Sequence, residues 1–434
     1  MRHLLVLMLI AAQSLMAQNA NAPVEENLVT LIDCVVYEHR NPFLMPGNKA
    51  LAFSHLTASY NSNTVPAAFS NAFIFPKFID ETLKNKAIDR LNDSNNRFGT
   101  ELTYGAEACF YPDSTWKANK QALSIGYKSN FMATGSFNDD LFQLVFKGNS
   151  QFLGKNADLS ETALYLINYR SAYANFNKIH DRFGYSVGMA CYQGVSHVNI
   201  NLPQAGLYTD SSAAFLDLNW KGSYLQSGAA SNKWNNSPSL GFGINLASIV
   251  FLQGYKYQLS AEVQDFGFIQ WNDQTEVFKR DTAFRFTGLQ FNDVWTYSDT
   301  NLVLGDSLVR RLRGREERGS EMTMLPYTVR IGFSYSNGKE SKMNLRFALM
   351  YRNVPGMKPQ ATVEWSRQLS RKVPNLKVMA GLNYGGFGGF RTHAAISYGS
   401  KHHFLKLGTV YNEGFIMPSR NSGGGVMLQY ALVL

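Results

Sequence analysis

Beyond its first residues this sequence has no long hydrophobic run, few charges and almost no cysteine, and each scarcity excludes something. After residue 17 no window approaches the roughly 20 apolar residues that a membrane-spanning helix needs. The most apolar stretch, 244–252, is interrupted by Asn245 and Ser248. The three cysteines, Cys34, Cys109 and Cys191, do not make a disulfide framework. One pair with a thiol left over and three free thiols both fit the sequence. None sits in a CxxC or Cys/His arrangement, so no metal site is expected, and no motif asks for a cofactor. Charged residues make up 17% of the chain, against about a quarter in ordinary soluble domains. The balance is positive, +9 at neutral pH, but no basic face with interleaved aromatics stands out, which argues against a nucleic-acid partner.

Glycine and aromatic residues are plentiful instead: 35 Gly, 22 Tyr and 30 Phe in 434 residues. The first 17 residues read as a secretory signal peptide. Arg2 and His3 supply the positive start, 4–12 the apolar stretch, and Ala17 the small residue before Gln18, although Leu15 departs from the usual cleavage box. Cys34 lies too far downstream to be a lipidated first residue. The expected organisation is a signal peptide at 1–17, an N-terminal periplasmic or lumenal segment at 18–47, and one large barrel at 48–434.

The period of the C-terminal third carries the fold assignment. Tyr327, Val329, Ile331, Phe333 and Tyr335 alternate with Thr328, Arg330, Gly332 and Ser334. After a turn at Ser336-Asn337-Gly338-Lys339, Met343, Leu345, Phe347, Leu349 and Tyr351 alternate with Asn344, Arg346 and Arg352. A period of two is a strand with one apolar and one polar face, and Asn-Gly between two such runs is a strong hairpin signal. The rhythm continues to Val426, Leu428, Tyr430, Leu432 and Leu434. A soluble sandwich alternates too. These strands run to about ten residues, the length that crosses a bilayer at a tilt, and their apolar runs begin or end on Tyr327, Tyr335, Tyr351, Tyr384 and Tyr411. The polar face carries Arg330, Lys342, Arg346, Glu364, Lys377, Lys406 and Glu262, with Glu107 beside them. Those residues suit a wet lumen and do not suit a sandwich core.

Further strands are expected near 49–60, 101–111, 120–131, 163–176, 184–193, 212–226, 240–252, 257–271 and 282–291. The chain is thus predicted to be an all-β transmembrane antiparallel β-barrel of about 14–16 strands. Counting directions back from a last strand that ends in the periplasm puts the connections near 61–100, 132–162, 194–211 and 292–325 outside. The turns near 177–183, 337–341, 370–375 and 399–401 then fall in the periplasm. Helical spacing is expected at 78–91 and 306–318.

The chain resembles an uncharacterised family of Bacteroidota outer-membrane β-barrels, similar in general plan to fatty-acid-transporter-like and type IX secretion-associated barrels. The resemblance rests on Asn41-Pro42-Phe43-Leu44-Met45-Pro46, Phe146-Lys147-Gly148-Asn149, Phe183-Gly184-Tyr185-Ser186-Val187-Gly188, Gln264-Asp265-Phe266-Gly267-Phe268-Ile269-Gln270-Trp271, Met324-Leu325-Pro326 and Asn383-Tyr384-Gly385-Gly386-Phe387-Gly388-Gly389. The final Leu434 departs from the aromatic that commonly ends such barrels. The resemblance implies the outer membrane of a Gram-negative bacterium, with outer-membrane lipid and lipopolysaccharide as surroundings. It implies either passage of small hydrophobic molecules or service as an accessory or scaffold of a type IX secretion or surface-attachment assembly.

No residues point to catalysis. Gly184-Tyr185-Ser186-Val187-Gly188 matches a nucleophile elbow, but the elbow needs strand, sharp turn and helix, and this segment reads as continuous strand. His402 and His403 have no carboxylate or third histidine at ligand spacing and read as a solvated turn. The Arg310-Arg311-Leu312-Arg313-Gly314-Arg315 run reads as a solvated loop helix that can also meet lipopolysaccharide phosphates. Asp265 and Gly267 mark a strand kink. Strict alternation from Tyr257, Leu259, Ala261 and Val263 would aim Asp265 at lipid, so either a bulge at Gly267 switches the face or the strand leaves the membrane.

Overall fold

Hydrocarbon offers no partner to a backbone N–H or C=O, so strands cross a membrane only as a closed barrel. The computed structural model, which describes residues 50–75, 77–228, 239–253, 256–287, 317–336, 343–369, 376–400 and 402–434, is such a closure. In chain order the first strands are β1 (Ala50–Ser62), β2 (Asn96–Phe110), β3 (Gln121–Phe137), β4 (Lys155–Asp158), β5 (Thr162–Ile179), β6 (Phe183–Thr209), β7 (Leu216–Ser227), β8 (Ser239–Leu252), β9 (Tyr257–Gln270) and β10 (Glu276–Phe286). They are followed by β11 (Glu317–Arg318), β12 (Met322–Met324), β13 (Thr328–Ser336), β14 (Met343–Arg352), β15 (Lys358–Gln368), β16 (Leu376–Gly386), β17 (Phe390–Gly399), β18 (His403–Val410) and β19 (Gly424–Val433). Fourteen of them form the antiparallel wall in the order β1-β2-β3-β5-β6-β8-β9-β13-β14-β15-β16-β17-β18-β19. β19 returns to β1 in unbroken register from Leu51↔Val433 to Tyr60↔Gly424.

The wall is inside-out relative to a soluble protein. On β14, Phe347, Leu349 and Tyr351 are exposed, whereas Asn344, Ala348 and Arg352 are buried. Leu349 is 58% exposed and the charged Arg352 only 8%, so the apolar face looks out and the polar face fills the lumen. Outward tyrosines gather at the two rims. Tyr257 and Tyr335 lie 5.4 Å apart at the end shared with both strand termini, and Tyr384 meets Phe390 at 6.1 Å at the other. Tyr411 does not join them: it has a left-handed backbone (φ 58°) and lines a lumenal cavity.

Two of the expected wall segments, near 212–226 and 282–291, belong elsewhere. β6 is 27 residues long, roughly 90 Å at strand rise, far more than a bilayer needs. Its first half pairs with β8 up to Gly194↔Ser239, and from His197↔Ser227 onward it pairs with β7. β7 in turn pairs with β10, so β6, β7 and β10 form an external ribbon. β8 therefore descends and β9 rises, opposite to the directions a sixteen-strand count implies. Counting two ribbon strands as wall strands flips the direction twice, which is why the later hairpins still come out correctly. The 306–318 segment lies outside the described residues except for its last two positions, as do residues 1–49. Cys109 is buried toward the lumen and Cys191 is exposed on the outer face, so these two do not pair.

The outside end carries α1 (Ala67–Ile74), α2 (Glu81–Ile88), α4 (Asp139–Lys147) and the short α5 (Glu413–Ile416); α3 (Ser114–Ala118) sits in the turn between β2 and β3. α2 falls within the expected helical stretch. It starts at Asp80, whose side chain accepts the Leu83 N–H at 2.8 Å, an N-cap bond. At the opposite end the lumen is closed by apolar side chains, with Leu51, Phe53 and Phe404 all nearly fully buried around Cys109 and Val433.

If the outer face meets lipid, Leu407→Arg, on the exposed face of β18, lowers stability by about 2–4 kcal/mol near the bilayer midplane. A water-facing leucine would tolerate the same change within about 0.5 kcal/mol. Urea titration of the refolded chain in liposomes, with the heat-modifiable gel band as the folded signal, separates the two.

Candidate functional site

β9 starts as an ordinary wall strand, with Tyr257 and Leu259 outward and Glu262 and Gln264 inward. Its ladder to β8 then slips. Ile244 pairs with Phe266 and Leu246 with Val263, so Asn245 alone faces both Gln264 and Asp265. That is a β-bulge. Asp265 takes a left-handed backbone (φ 54°), one of the few non-glycine residue types that tolerate it. The Asn245 side chain replaces the lost ladder bond by accepting the Asp265 N–H at 2.9 Å. The face switches here, two residues before Gly267, so that Gln264 and Asp265 both point inward and Phe266 and Phe268 point outward.

The ladder on the other side of β9 is broken at the same height. β9 pairs with β13 as far as Gln264↔Thr328 and with β12 from Phe268↔Met324. Between them Asp265-Phe266-Gly267 runs beside Leu325-Pro326-Tyr327. Leu325 N–H donates to Gly267 O at 2.9 Å, but Tyr327 N–H turns back to Leu325 O at 2.8 Å, and Pro326 has no N–H to give. On the lipid side, the Phe266 and Tyr327 rings cover the break edge to face, 5.4 Å apart. Gly267 is held to glycine by crowding, since a Cβ there would stand 2.4 Å from Phe242 O and 2.7 Å from the Gly243 Cα.

Behind the break, charged side chains fill the lumen in pairs. The Asp265 carboxylate receives Lys128 Nζ at 2.7 Å and the Tyr169 hydroxyl at 3.1 Å on Oδ2, and the Tyr192 hydroxyl at 3.3 Å on Oδ1. Arg330 meets Glu262 at 2.9 Å, and Gln264 donates to the same carboxylate at 2.9 Å. Arg352 meets Glu101 at 2.7 Å and donates to Thr328 at 2.9 Å. Farther round, Glu364 holds Arg346 and His393, each at 3.4 Å, with Lys406 acting on it electrostatically. Lys377 is also inward and buried. Lys342 lies outside the described residues.

Above this ionic layer is a cavity of about 90 Å3, walled in part by Met132, Met350 and Met427 and roofed by Met357, Phe387 and Tyr411 from three external turns. Phe387 reaches in because Gly385 (φ 101°) and Gly386 (φ 64°) take backbones that L side chains avoid, and its ring lies where a Cβ on Gly99 would be. A smaller cavity of about 20 Å3 shares Glu101, Met132 and Arg352 with the first and touches Asp265 and Pro326 at the break.

Ser186 points into the lumen from continuous strand and donates to Asn177 at 2.8 Å, with no turn or helix to make an elbow. His403 meets the Tyr430 hydroxyl at 2.8 Å, and His402 lies 3.3 Å from the Val433 carbonyl. Sequence reasoning missed Lys128, Tyr169 and Tyr192. Lys128 falls on the inward parity of β3 with Ser124 and Asn130, so alternation offers it, but its partner stands 137 residues away. The two tyrosines also fall on inward parities, Tyr169 with Ser171 and Asn175 and Tyr192 with Ser186, but an aromatic ring in a barrel strand gives no signal that it faces a carboxylate.

Over residues 49–395 the chain matches the family of unknown function DUF5723, and it belongs to that family. No curated protein matches it in sequence. Among solved structures it is similar in fold to the toluene transporter TodX of Pseudomonas putida, with a TM-score of 0.44 and 7% identity over 91% of this chain and 92% of that one. The toluene transporter TbuX of Ralstonia pickettii gives 0.45 and 8% over 91% and 92%. A FadL homologue of Pseudomonas aeruginosa gives 0.43 and 9% over 90% and 93%. At these identities the likeness concerns the barrel fold alone.

Lys128→Met leaves the buried Asp265 carboxylate without its cation and lowers stability by about 3–5 kcal/mol, the cost of breaking a buried pair. Adding Asp265→Asn returns a large part of that loss. Urea midpoints of the four members of the cycle measure it, and an equal cost of Lys128→Met in both backgrounds would show the pair to be uncoupled.

Proposed function

We propose that this chain is a non-enzymatic outer-membrane barrel that passes small hydrophobic molecules from the cell surface into the bilayer through its side. The observation that carries this reading is the interrupted ladder at Asp265-Phe266-Gly267 and Leu325-Pro326-Tyr327, backed by a cavity with methionine and phenylalanine in its lining. Methionine suits such a site, since its unbranched thioether adapts to varied apolar shapes. A straight route to the periplasm is blocked by Leu51, Phe53 and Phe404. The small cavity beside Pro326 lies between the upper cavity, with which it shares Glu101, Met132 and Arg352, and the break. A cavity of about 150 Å3 holds benzene, so at 90 Å3 the molecule is closed, and entry requires the methionines and the roofing turns to shift.

A second reading, an accessory or scaffold component of a type IX secretion or surface-attachment assembly, is favoured by the external ribbon. β10 has β7 along its whole length on one side and β11 only at Glu276 and Val277 on the other among the described residues. A strand edge of that kind suits a partner chain.

In a cysteine-free background, Phe266→Cys with Tyr327→Cys places a staple across the break. Oxidation is expected to abolish transfer of N-phenylnaphthylamine into liposomes carrying the barrel, and reductant to restore it. Phe266→Ala with Tyr327→Ala speeds transfer. Transfer equal to that of protein-free vesicles in every form would end the transport reading, and a partner recovered from crosslinked outer membranes would favour the second.

A further inference from the structure

The external helices do not roof the lumen; they lean over the outer side of the wall. On β2 and β3 the inward positions are Gly99, Glu101, Thr103 and Lys128, Asn130, Met132, which line the lumenal cavities. Phe98 and Phe137 have the opposite parity and point outward. Phe98 lies where a side chain on the outward Gly135 would be. These two rings are the foundation on which Phe69 of α1, Leu83 and Ala87 of α2, and Phe142 and Phe146 of α4 pack. A third outward residue, Tyr60 of β1, donates its hydroxyl to the Asn71 side chain of α1 at 2.7 Å. The face of α1 carrying Asn71 is therefore turned toward the outside of the barrel, and Ile74 and Phe75, three and four residues on, share it.

The residues beyond this foundation are apolar and uncovered. Phe73, Ile74 and Phe75 are exposed, as are Val145 of α4 and Phe78, which is 91% exposed. The turn after α5 docks on α1 through Ala68 N–H to Pro418 O at 2.8 Å, and α5 with this turn adds exposed Phe415, Ile416 and Met417. Exposed Lys77, Lys86 and Arg420 stand among them, with Asp80, Glu81 and Asp89 also on the surface. The break at β9 and β13 lies on the far side of the barrel, six wall strands from β1.

We propose that this helical brim above β19, β1, β2 and β3 is seated in the outer leaflet, its apolar residues among lipid acyl chains. The occupant follows from continuity: the brim is built on outward rings that continue the lipid-facing surface of the wall, and aromatic residues beside basic ones are what interfacial helices present to lipid. The proposal rests on the barrel spanning a membrane, and its test separates the two. In a chain with Cys34→Ser, Cys109→Ser and Cys191→Ser, an environment-sensitive fluorophore is attached through Phe78→Cys, through Asp89→Cys, or through Leu428→Cys on the outward face of β19. Each full-length variant is placed in phosphatidylcholine nanodiscs with and without brominated acyl chains, after its heat-modifiable band has confirmed folding. The Phe78 label is expected to lose most of its emission to brominated lipid and little to iodide, and the Asp89 label the reverse. Quenching of the Phe78 label by iodide alone, with the Leu428 label still quenched by brominated lipid, would overturn the brim and leave the barrel standing. Failure of the Leu428 label to meet brominated lipid would remove the membrane reading itself. Shielding of the Phe78 label from both quenchers would mean that another protein surface covers it, and would equally overturn the proposal. Ile74→Cys repeats the measurement at the C-terminal end of α1.

Discussion

Satisfaction of backbone hydrogen bonds in a medium that supplies none is the constraint on which this structure depends. It explains the unbroken return of β19 onto β1 and makes any interruption conspicuous. At Asp265 both ladders of β9 are disturbed at one height, and each disturbance has its own substitute. Asn245 lends a side-chain carbonyl to the Asp265 N–H, and Pro326 brings no donor to the break. Tyr327 turns its own donor inward along its chain. One backbone bond, Leu325 N–H to Gly267 O, still crosses the break.

The bulge also has an electrostatic consequence. By strict alternation Asp265 would stand in hydrocarbon. Turned inward, it is buried beside Lys128, Tyr169 and Tyr192, and the ion pair ties β9 to β3 across the lumen. Buried charges are tolerable when paired and hydrogen-bonded, and much of the lumen follows this, from Arg330 with Glu262 to Glu364 between Arg346 and His393. The polar face that the sequence displays is thus, in the described residues, a lumen filled largely by paired charges, with small cavities left among them.

Alternation made the wall legible because the strands from β13 to β19 are buried on the face toward the lumen and exposed on the other. It could not separate wall from ribbon. β7 and β10 show a similar rhythm, and only the length of β6 and its change of partner at Gly194 reveal them. The inward charges were readable by parity, yet which carboxylate meets which cation depends on register across the lumen, as with Lys128 and Asp265. Phe98 and Phe137 carry the helical brim, but in sequence they are two aromatics among many near the ends of strands.

The levels of the lumen bear on what a solute can do once inside. An apolar molecule lodged beside Met350 and Met357 would have to cross the layer of Glu101, Arg352, Lys128 and Asp265 to continue downward. It would then need to part the packing of Leu51, Phe53 and Phe404. The first step separates buried ion pairs at several kcal/mol each. On the proposed lateral route the Phe266–Tyr327 contact, an aromatic pair of about 0.5–1.5 kcal/mol, would part together with the Leu325–Gly267 hydrogen bond, and each methylene reaching hydrocarbon would gain about 0.8 kcal/mol over water. For a charged or strongly polar solute the signs reverse. If the barrel passes solutes as proposed, the same arrangement would sort them by polarity without any residue that recognises a particular molecule.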